Sequence, residues 1–182
     1  MTELLDAELS RFTIQNATAA NFRMVDDVLE VSEPDGWLRS KERVADFEVL
    51  IEFRYLTDDA DSGLFLRTQG AASFRRGWPG ESYQVQIRNP AGSSPYPPVG
   101  YLFRHGMPHG ETHYDESLAR AVSKPTGEWQ TLLVRAIGAE VLVAVNGVET
   151  TRARGLRTGP GFIGIQGETG TLQFRSLRLT DI

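Results

Sequence analysis

Between Phe47 and Tyr55 the chain alternates apolar and charged residues. Phe47, Val49, Ile51, Phe53 and Tyr55 fall on one side, and Glu48, Glu52 and Arg54 on the other. A repeat of two is the side-chain period of an extended strand, so this segment is a β-strand with one buried and one wet face. The same pattern returns along the chain. Phe22–Val25 and Val28–Val31 flank Asp26-Asp27 and predict a tight hairpin. Leu64–Arg67, Ser82–Arg88, Val99–Phe103, Glu128–Ile137, Val141–Val145, Gly161–Gln166 and Leu172–Leu179 complete the readable strands, with Asn146-Gly147 suited to a second tight hairpin. About eleven strands are expected in all. Residues 2–9 have the composition of one or two helical turns, and no helix of ordinary length is expected elsewhere.

Parallel strands need crossover connections, usually helical, and none is readable here. The strands therefore pair antiparallel, and the expected fold class is all-β: a jelly-roll-like sandwich of two antiparallel sheets. A length of 182 residues suits one such domain over residues 1–182, and a hydrophobic fraction of 40% can fill its core. No repeat of blade-like period is present, which argues against a propeller.

Charge and composition narrow the partners. The formal net charge is -5, so nucleic acid is not an expected partner despite arginines at Arg75-Arg76, Arg152, Arg154 and Arg157. Cysteine is absent, which removes disulfides and thiolate chemistry. The first ten residues are acidic where a secretory leader would be basic and then apolar, and no run approaches the ~18 apolar residues of a membrane span. As written the chain is expected to be soluble and cytoplasmic, or secreted or periplasmic if a leader has been removed. A homodimer joined through an edge strand stays open.

All three histidines fall within nine residues, His105-Gly-Met-Pro-His109-Gly-Glu-Thr-His113, and Tyr114, Asp115 and Glu116 follow. The stretch runs from the Val99–Phe103 strand to about Pro125 and reads as an excursion from the scaffold. It can be an active-site rim holding an acid or base, a metal site, or a solvated loop. Spacing of four would align the imidazoles on a helix, but Gly106, Pro108 and Gly110 oppose one. A divalent metal ion is therefore left open. In the turn Asp58-Asp59-Ala60-Asp61 a solvated hairpin turn is favoured over a calcium site, because the helix–loop–helix calcium spacing is missing. No nucleophile elbow or phosphate loop is present, and Gly159-Pro-Gly-Phe-Ile-Gly164 opens a strand, not a helix.

On the Ser82–Arg88 strand, alternation puts Gln84, Gln86 and Arg88 on one face, opposite Tyr83, Val85 and Ile87. Amides and guanidinium groups offer donors and acceptors in fixed directions, as sugar hydroxyls require. A plain solvent-facing sheet would show the same alternation.

An ordered set of short motifs resembles the 3-keto-disaccharide hydrolase-like domains, which have a concanavalin A-like lectin/glucanase sandwich. The matching residues are Asp46–Arg54, Asp61-Ser-Gly-Leu-Phe-Leu-Arg67, Tyr83-Gln-Val-Gln-Ile87, Gly100–Phe103, Gly127-Glu-Trp-Gln130, Asn146-Gly147, Gly161–Gln166 and Phe174-Arg-Ser-Leu-Arg178, spanning roughly 36–180. The resemblance implies a carbohydrate substrate or ligand and places Arg67 on a strand beside that of Gln84. Trp78 and Tyr101 can add a stacking platform for a sugar ring, although an aromatic residue in a sandwich is more often core. It also shows two departures. Asp61 stands where the family usually has Asn, and Gln84 where it often has Glu. A neutral amide cannot act as a general base, so Glu81 and Glu111, the nearest carboxylates in sequence, become candidates beside His105, His109 and His113.

Two functions are then expected as alternatives. One is an enzyme acting on (3-keto-)glycosides, whose ketone acidifies the C2 proton so that a single base can drive elimination, followed by hydration. The enolate oxygen would need a cation, Arg67 or a metal. The other is a non-catalytic carbohydrate-binding module with the same face, in which Gln84 marks lost catalysis.

Overall fold

A computed structural model describes residues 1–17, 21–69, 77–108 and 110–182. The described strands in chain order are β1 (Thr2–Glu3), β2 (Phe12–Gln15), β3 (Phe22–Val25), β4 (Val28–Ser32), β5 (Gly36–Ser40), β6 (Phe47–Tyr55), β7 (Gly63–Thr68), β8 (Ser82–Gln86), β9 (Leu102–His105), β10 (Glu111–Tyr114), β11 (Gln130–Ile137), β12 (Glu140–Val145), β13 (Val148–Arg154), β14 (Phe162–Gly167) and β15 (Thr171–Asp181). Among the described residues one helix, α1 (Glu116–Val122), sits between β10 and β11.

The strands form two antiparallel sheets, as expected. The larger runs β10-β13-β12-β11-β6-β15-β4-β3, with β1 added beside β15; the smaller runs β2-β5-β14-β7-β8-β9. β6 lies at the middle of the larger sheet between β11 and β15. Its apolar face, Phe47, Val49, Ile51, Phe53 and Tyr55, has no exposed surface, and the core it joins includes Leu64, Leu66, Tyr83 and Val85 from the smaller sheet. Burial at roughly 25 cal/mol per Å² of apolar surface makes this shared layer the main cohesive contribution. Both hairpins form as the sequence predicts. Asp26 and Asp27 adopt φ of 49° and 62°, and Asn146 and Gly147 adopt 48° and 81°. Two successive positive-φ residues make the turn whose twist matches that of the flanking strands.

Three expectations are corrected. Residues 2–9 do not form helical turns. Thr2 and Glu3 pair with Leu179 and Arg178, while Asp6 gathers Glu8 N, Ser10 N and the Ser10 hydroxyl into a side-chain-capped turn. An aspartate that bonds its own following backbone competes with helix formation. The strand count rises to fifteen among the described residues because β1, β2, β5, β10 and β13 are too short or too irregular for an alternation to stand out. The stretch after Phe103 is not a simple excursion. β9 continues to His105, β10 pairs with β13 in the opposite sheet, and α1 follows, capped by Asp115 Oδ1 accepting from Leu118 N at 2.9 Å. Among the described residues no helix is long and apolar enough to cross a membrane.

Candidate functional site

β6 alternates buried and half-buried residues, as a one-faced strand should, but β7 and β8 are buried at every position. Their inward residues fill the core. The outward residues Gln84 and Gln86 of β8, with Gln166 of β14, form the floor of a cleft of about 640 Å³ on the outer face of the smaller sheet. Gln84 and Gln86 point into this cleft with 3% and 4% of their surface exposed, so the polar face read from the sequence is not a solvent-facing sheet.

The floor is a connected set of amides. Gln166 from β14 and Gln84 from β8 meet above the β7 strand that separates them, with Gln84 Nε2 donating to Gln166 Oε1 at 2.9 Å. They can meet because β7 has Gly63 beneath them: a Cβ there would lie 2.5 Å from Gln84 Nε2 and 2.9 Å from Gln166 Oε1. Gln84 Nε2 also donates to Gln86 Oε1 at 2.8 Å, and Gln86 Nε2 donates to Asp61 Oδ1 at 2.9 Å. Asp61 is held in register by its own pairing with Thr169. At the other end, His105 Nε2 lies 2.7 Å from Gln84 Oε1. The imidazole is stacked beside Phe103 (6.2 Å, 17°) and meets the edge of Phe65 (6.4 Å, 66°). Burial pushes its pKa below the ordinary histidine value, because the charged ring loses water.

Aromatic and loop residues make the walls. Trp78 packs with Trp37 and Phe65, and its indole Nε1 donates to Gly167 O at 3.3 Å. Phe103 lies beside His105, and Tyr96 stands at the rim with 63% of its surface exposed. Tyr96 belongs to the loop 89–98, which Arg88 ties down from below: its guanidinium, 2% exposed, donates to Pro97 O at 3.2 Å and to Tyr96 O. Asn89 anchors the loop's start by donating to Thr57 O and to the Thr126 hydroxyl. Acidic side chains in the lining are Asp58, Asp59, Asp61 and Glu168.

Of the residues picked from the sequence, His105, Trp78, Gln84, Gln86 and Arg88 come together in this cleft. Arg67 does not. Strict alternation would put it outward with Gly63 and Phe65, but Leu66 and Arg67 together oppose Ile163, a β-bulge with Arg67 at φ 51°. A bulge re-aims the side chain that follows it. The Arg67 guanidinium turns away from the cleft and donates to Ala45 O, Gly138 O, Arg157 O and Asp46 Oδ1.

Tyr101 is also outside the lining, edge-on to Phe103 and Tyr114 at the sheet margin. Glu81 pairs with Arg157 at 2.8 Å, and Glu111 is exposed on β10 across from Arg154. Neither lines the cleft. His113 lies exposed on β10, opposite Arg152 in the other sheet, so it cannot act beside His105. His109 lies outside the described residues. Among the described residues no three His, Asp or Glu side chains are grouped to hold a metal ion.

The sequence reading missed Gln166, Phe103, Tyr96 and Glu168 as lining residues. Gln166 had a usable signal: it shares its parity with Gly164, opposite Ile163 and Ile165. Tyr96 and Glu168 lie in connections, where no periodicity reports direction.

The chain matches the 3-keto-alpha-glucoside-1,2-lyase-like domain over residues 1–180, further toward the N-terminus than the motifs from 36 onward. No curated protein gives a match. Among solved structures, a candidate glycosyl hydrolase from Parabacteroides distasonis superposes with a TM-score of 0.74 at 18% identity, covering 100% of this chain and 98% of that one. A second candidate glycosyl hydrolase from the same organism gives 0.71 at 13% identity over 96% and 89%. A carbohydrate-binding module from Bacillus subtilis gives 0.58 at 13% identity over 93% and 94%. At these identities the likeness is one of fold, the concanavalin A-like sandwich. The chain belongs to the 3-keto-alpha-glucoside-1,2-lyase-like domain family.

Proposed function

We propose that this member of the 3-keto-alpha-glucoside-1,2-lyase-like family is a carbohydrate-active enzyme. Its cleft takes a glycoside carrying a ketone at ring carbon 3 and cleaves it by elimination, with His105 as the base. The observation that carries this reading is a half-buried imidazole seated on an uncharged, hydrogen-bonded amide floor inside a cleft with aromatic walls. Its lowered pKa keeps the ring neutral, and so basic, at neutral pH.

The chemistry follows from the ketone. It makes the C2 proton acidic, so His105 removes it and the electrons pass to the C3 oxygen as an enolate. The enolate collapses, forming the C1–C2 double bond and breaking the bond from C1 to its oxygen substituent. The imidazolium returns the proton to the departing oxygen, releasing an alcohol. Water added across C1–C2 completes a formal hydrolysis. Arg88 replaces Arg67 as the cation near this chemistry, because it is among the cleft-lining residues and Arg67 turns away; its guanidinium, bonded to Pro97 O and Tyr96 O beneath the loop, acts through its charge. Tyr96 offers a face for the ring or aglycone beyond the scissile bond.

The test is turnover of a 3-keto-glucoside and of its unoxidised parent by wild type, His105→Ala and His113→Ala, with and without chelator. Loss of about 10²–10⁴-fold in His105→Ala, with His113→Ala unchanged, is expected. Equal turnover of the unoxidised glycoside would refute elimination, and loss with chelator would assign the electrophile to a divalent cation.

A second reading, a carbohydrate-binding module, is favoured by Gln84, an amide where a carboxylate would serve catalysis. Saturable binding of 3-keto-glucoside without turnover in the same experiment would select it.

A further inference from the structure

We infer that Gln84 is a positioning residue. An amide chain anchored on Asp61 fixes His105 as the Nε2–H tautomer, which puts the ring's lone pair on Nδ1. The inference gives the base of the proposed reaction its reactive atom, and to that extent rests on that reading.

Amide oxygens and nitrogens can exchange places, so one glutamine alone does not declare its direction. Here the chain's end does. The Asp61 carboxylate accepts, so the Gln86 group 2.9 Å from it must be the NH2. Gln86 Oε1 then faces back toward Gln84 as an acceptor at 2.8 Å, and only an NH2 can answer it. The same Gln84 nitrogen has a second hydrogen, which goes to Gln166 Oε1 at 2.9 Å. Both hydrogens of Gln84 are thereby assigned, and its oxygen is left facing His105 at 2.7 Å. A carbonyl oxygen only accepts. His105 Nε2 therefore carries a proton, and in the neutral ring the basic nitrogen is Nδ1.

The same reasoning explains why position 84 holds an amide. A carboxylate has no hydrogens, so glutamate would set its oxygens against the oxygens of Gln86 and Gln166 at under 3 Å. It would also put a negative charge against the imidazole. Gln84 supplies an acceptor without that charge, and the low pKa that burial gives His105 is left in place. Among the described residues, Phe65, Phe103 and, across the ladder, Ser82 also lie against His105 and carry no charge. Arg104 points the opposite way, toward Gly110 O and the Thr112 hydroxyl. The charged groups lining the cleft are Asp58, Asp59, Asp61, Glu168 and Arg88. Gln84 is thus a polar contact that selects the tautomer, through the oxygen it turns to Nε2.

Imidazole nitrogen and carbon NMR on the resting protein tests this directly, with His105→Ala identifying the signals among three histidines. The expected wild-type result is a neutral ring protonated at Nε2 at pH 7. Gln84→Glu should raise the His105 titration midpoint by about 1–3 pH units, because an opposite charge favours the imidazolium. Gln84→Leu, which removes the acceptor, should yield a mixture of tautomers. A wild-type ring protonated at Nδ1, or a midpoint unmoved in Gln84→Glu, overturns the assignment. None of these readouts uses substrate. If the spectra agree and no keto-glycoside is turned over, the proposed reaction fails while the positioning role stands. If both hold, the acid limb of the kcat/KM profile should move up with the NMR midpoint in Gln84→Glu.

Discussion

Arg67 keeps a nearly fully buried guanidinium within reach of three backbone oxygens and one carboxylate, none of them in the cleft. Losing it would leave the Ala45, Gly138 and Arg157 carbonyls without that donor. Arg67→Ala is therefore expected to lower unfolding free energy by about 2–4 kcal/mol in urea denaturation, and Arg67→Lys to recover only part of the loss, since an ammonium cannot span all four oxygens. An unshifted midpoint in Arg67→Ala would contradict the bracing role. His105 makes a prediction of opposite kind, in activity. The base must be unprotonated, and its pKa lies below the ordinary value of 6.5. The kcat/KM profile should accordingly be flat at and above neutral pH and fall about tenfold per pH unit once the pH drops below that pKa. A profile that falls already between pH 8 and 7 would exclude His105 as the group observed. The sequence showed both residues as candidates. It could not show that one turns inward at a bulge, because the bulge depends on how many β7 residues oppose β14.

Among the elements, β7 and the loop 89–98 do most to shape the cleft. Gly63 on β7 is needed for close approach, and its replacement is a clean test. Gly63→Ala puts a methyl carbon against Gln84 and Gln166, which should cost about 1–3 kcal/mol of stability by overpacking and should weaken activity by displacing the amide floor. Wild-type stability and turnover in that variant would mean that the two glutamines need not meet. The loop 89–98 carries Tyr96 on a backbone that Arg88 holds from beneath. Tyr96→Ala is expected to raise KM about 2–10-fold for a glycoside with a ring aglycone and to leave kcat and a methyl glycoside little changed, the range corresponding to about 0.5–1.5 kcal/mol of stacking. Equal effects on both substrates would remove Tyr96 from the aglycone side. Long apolar-alternating strands such as β6, and the hairpins at Asp26-Asp27 and Asn146-Gly147, were legible in the sequence because local chemistry specifies them. β10, four residues of Glu-Thr-His-Tyr, was not: it is a strand only because β13 offers it an edge.

For the molecule as a whole, a sandwich whose two sheets share one core holds the cleft on a cooperative scaffold, so ligand binding there should register as global stabilisation. A 3-keto-glucoside at one hundred times its Kd should add about 2.7 kcal/mol to unfolding free energy in a thermal or denaturant scan. That gain should vanish at a His105→Ala/Gln84→Leu double variant only if the cleft is where the sugar sits; an undiminished gain would place the ligand elsewhere. By itself the sequence determined the all-β class, the buried face of β6, both tight hairpins, and the membership of Gln84, Gln86 and Arg88 in one polar row, since alternation and turn chemistry are properties of neighbours along the chain. Only the tertiary structure decided which polar residues meet. His105 and His113, which stand within nine residues of sequence, are split between two sheets, while Asp61, Gln84, Gln86, His105 and Gln166, scattered over more than one hundred residues, join in one hydrogen-bonded floor. The reason is that antiparallel pairing brings distant segments within 5 Å or so of each other, and sequence spacing within a loop says nothing about which sheet its two ends will join.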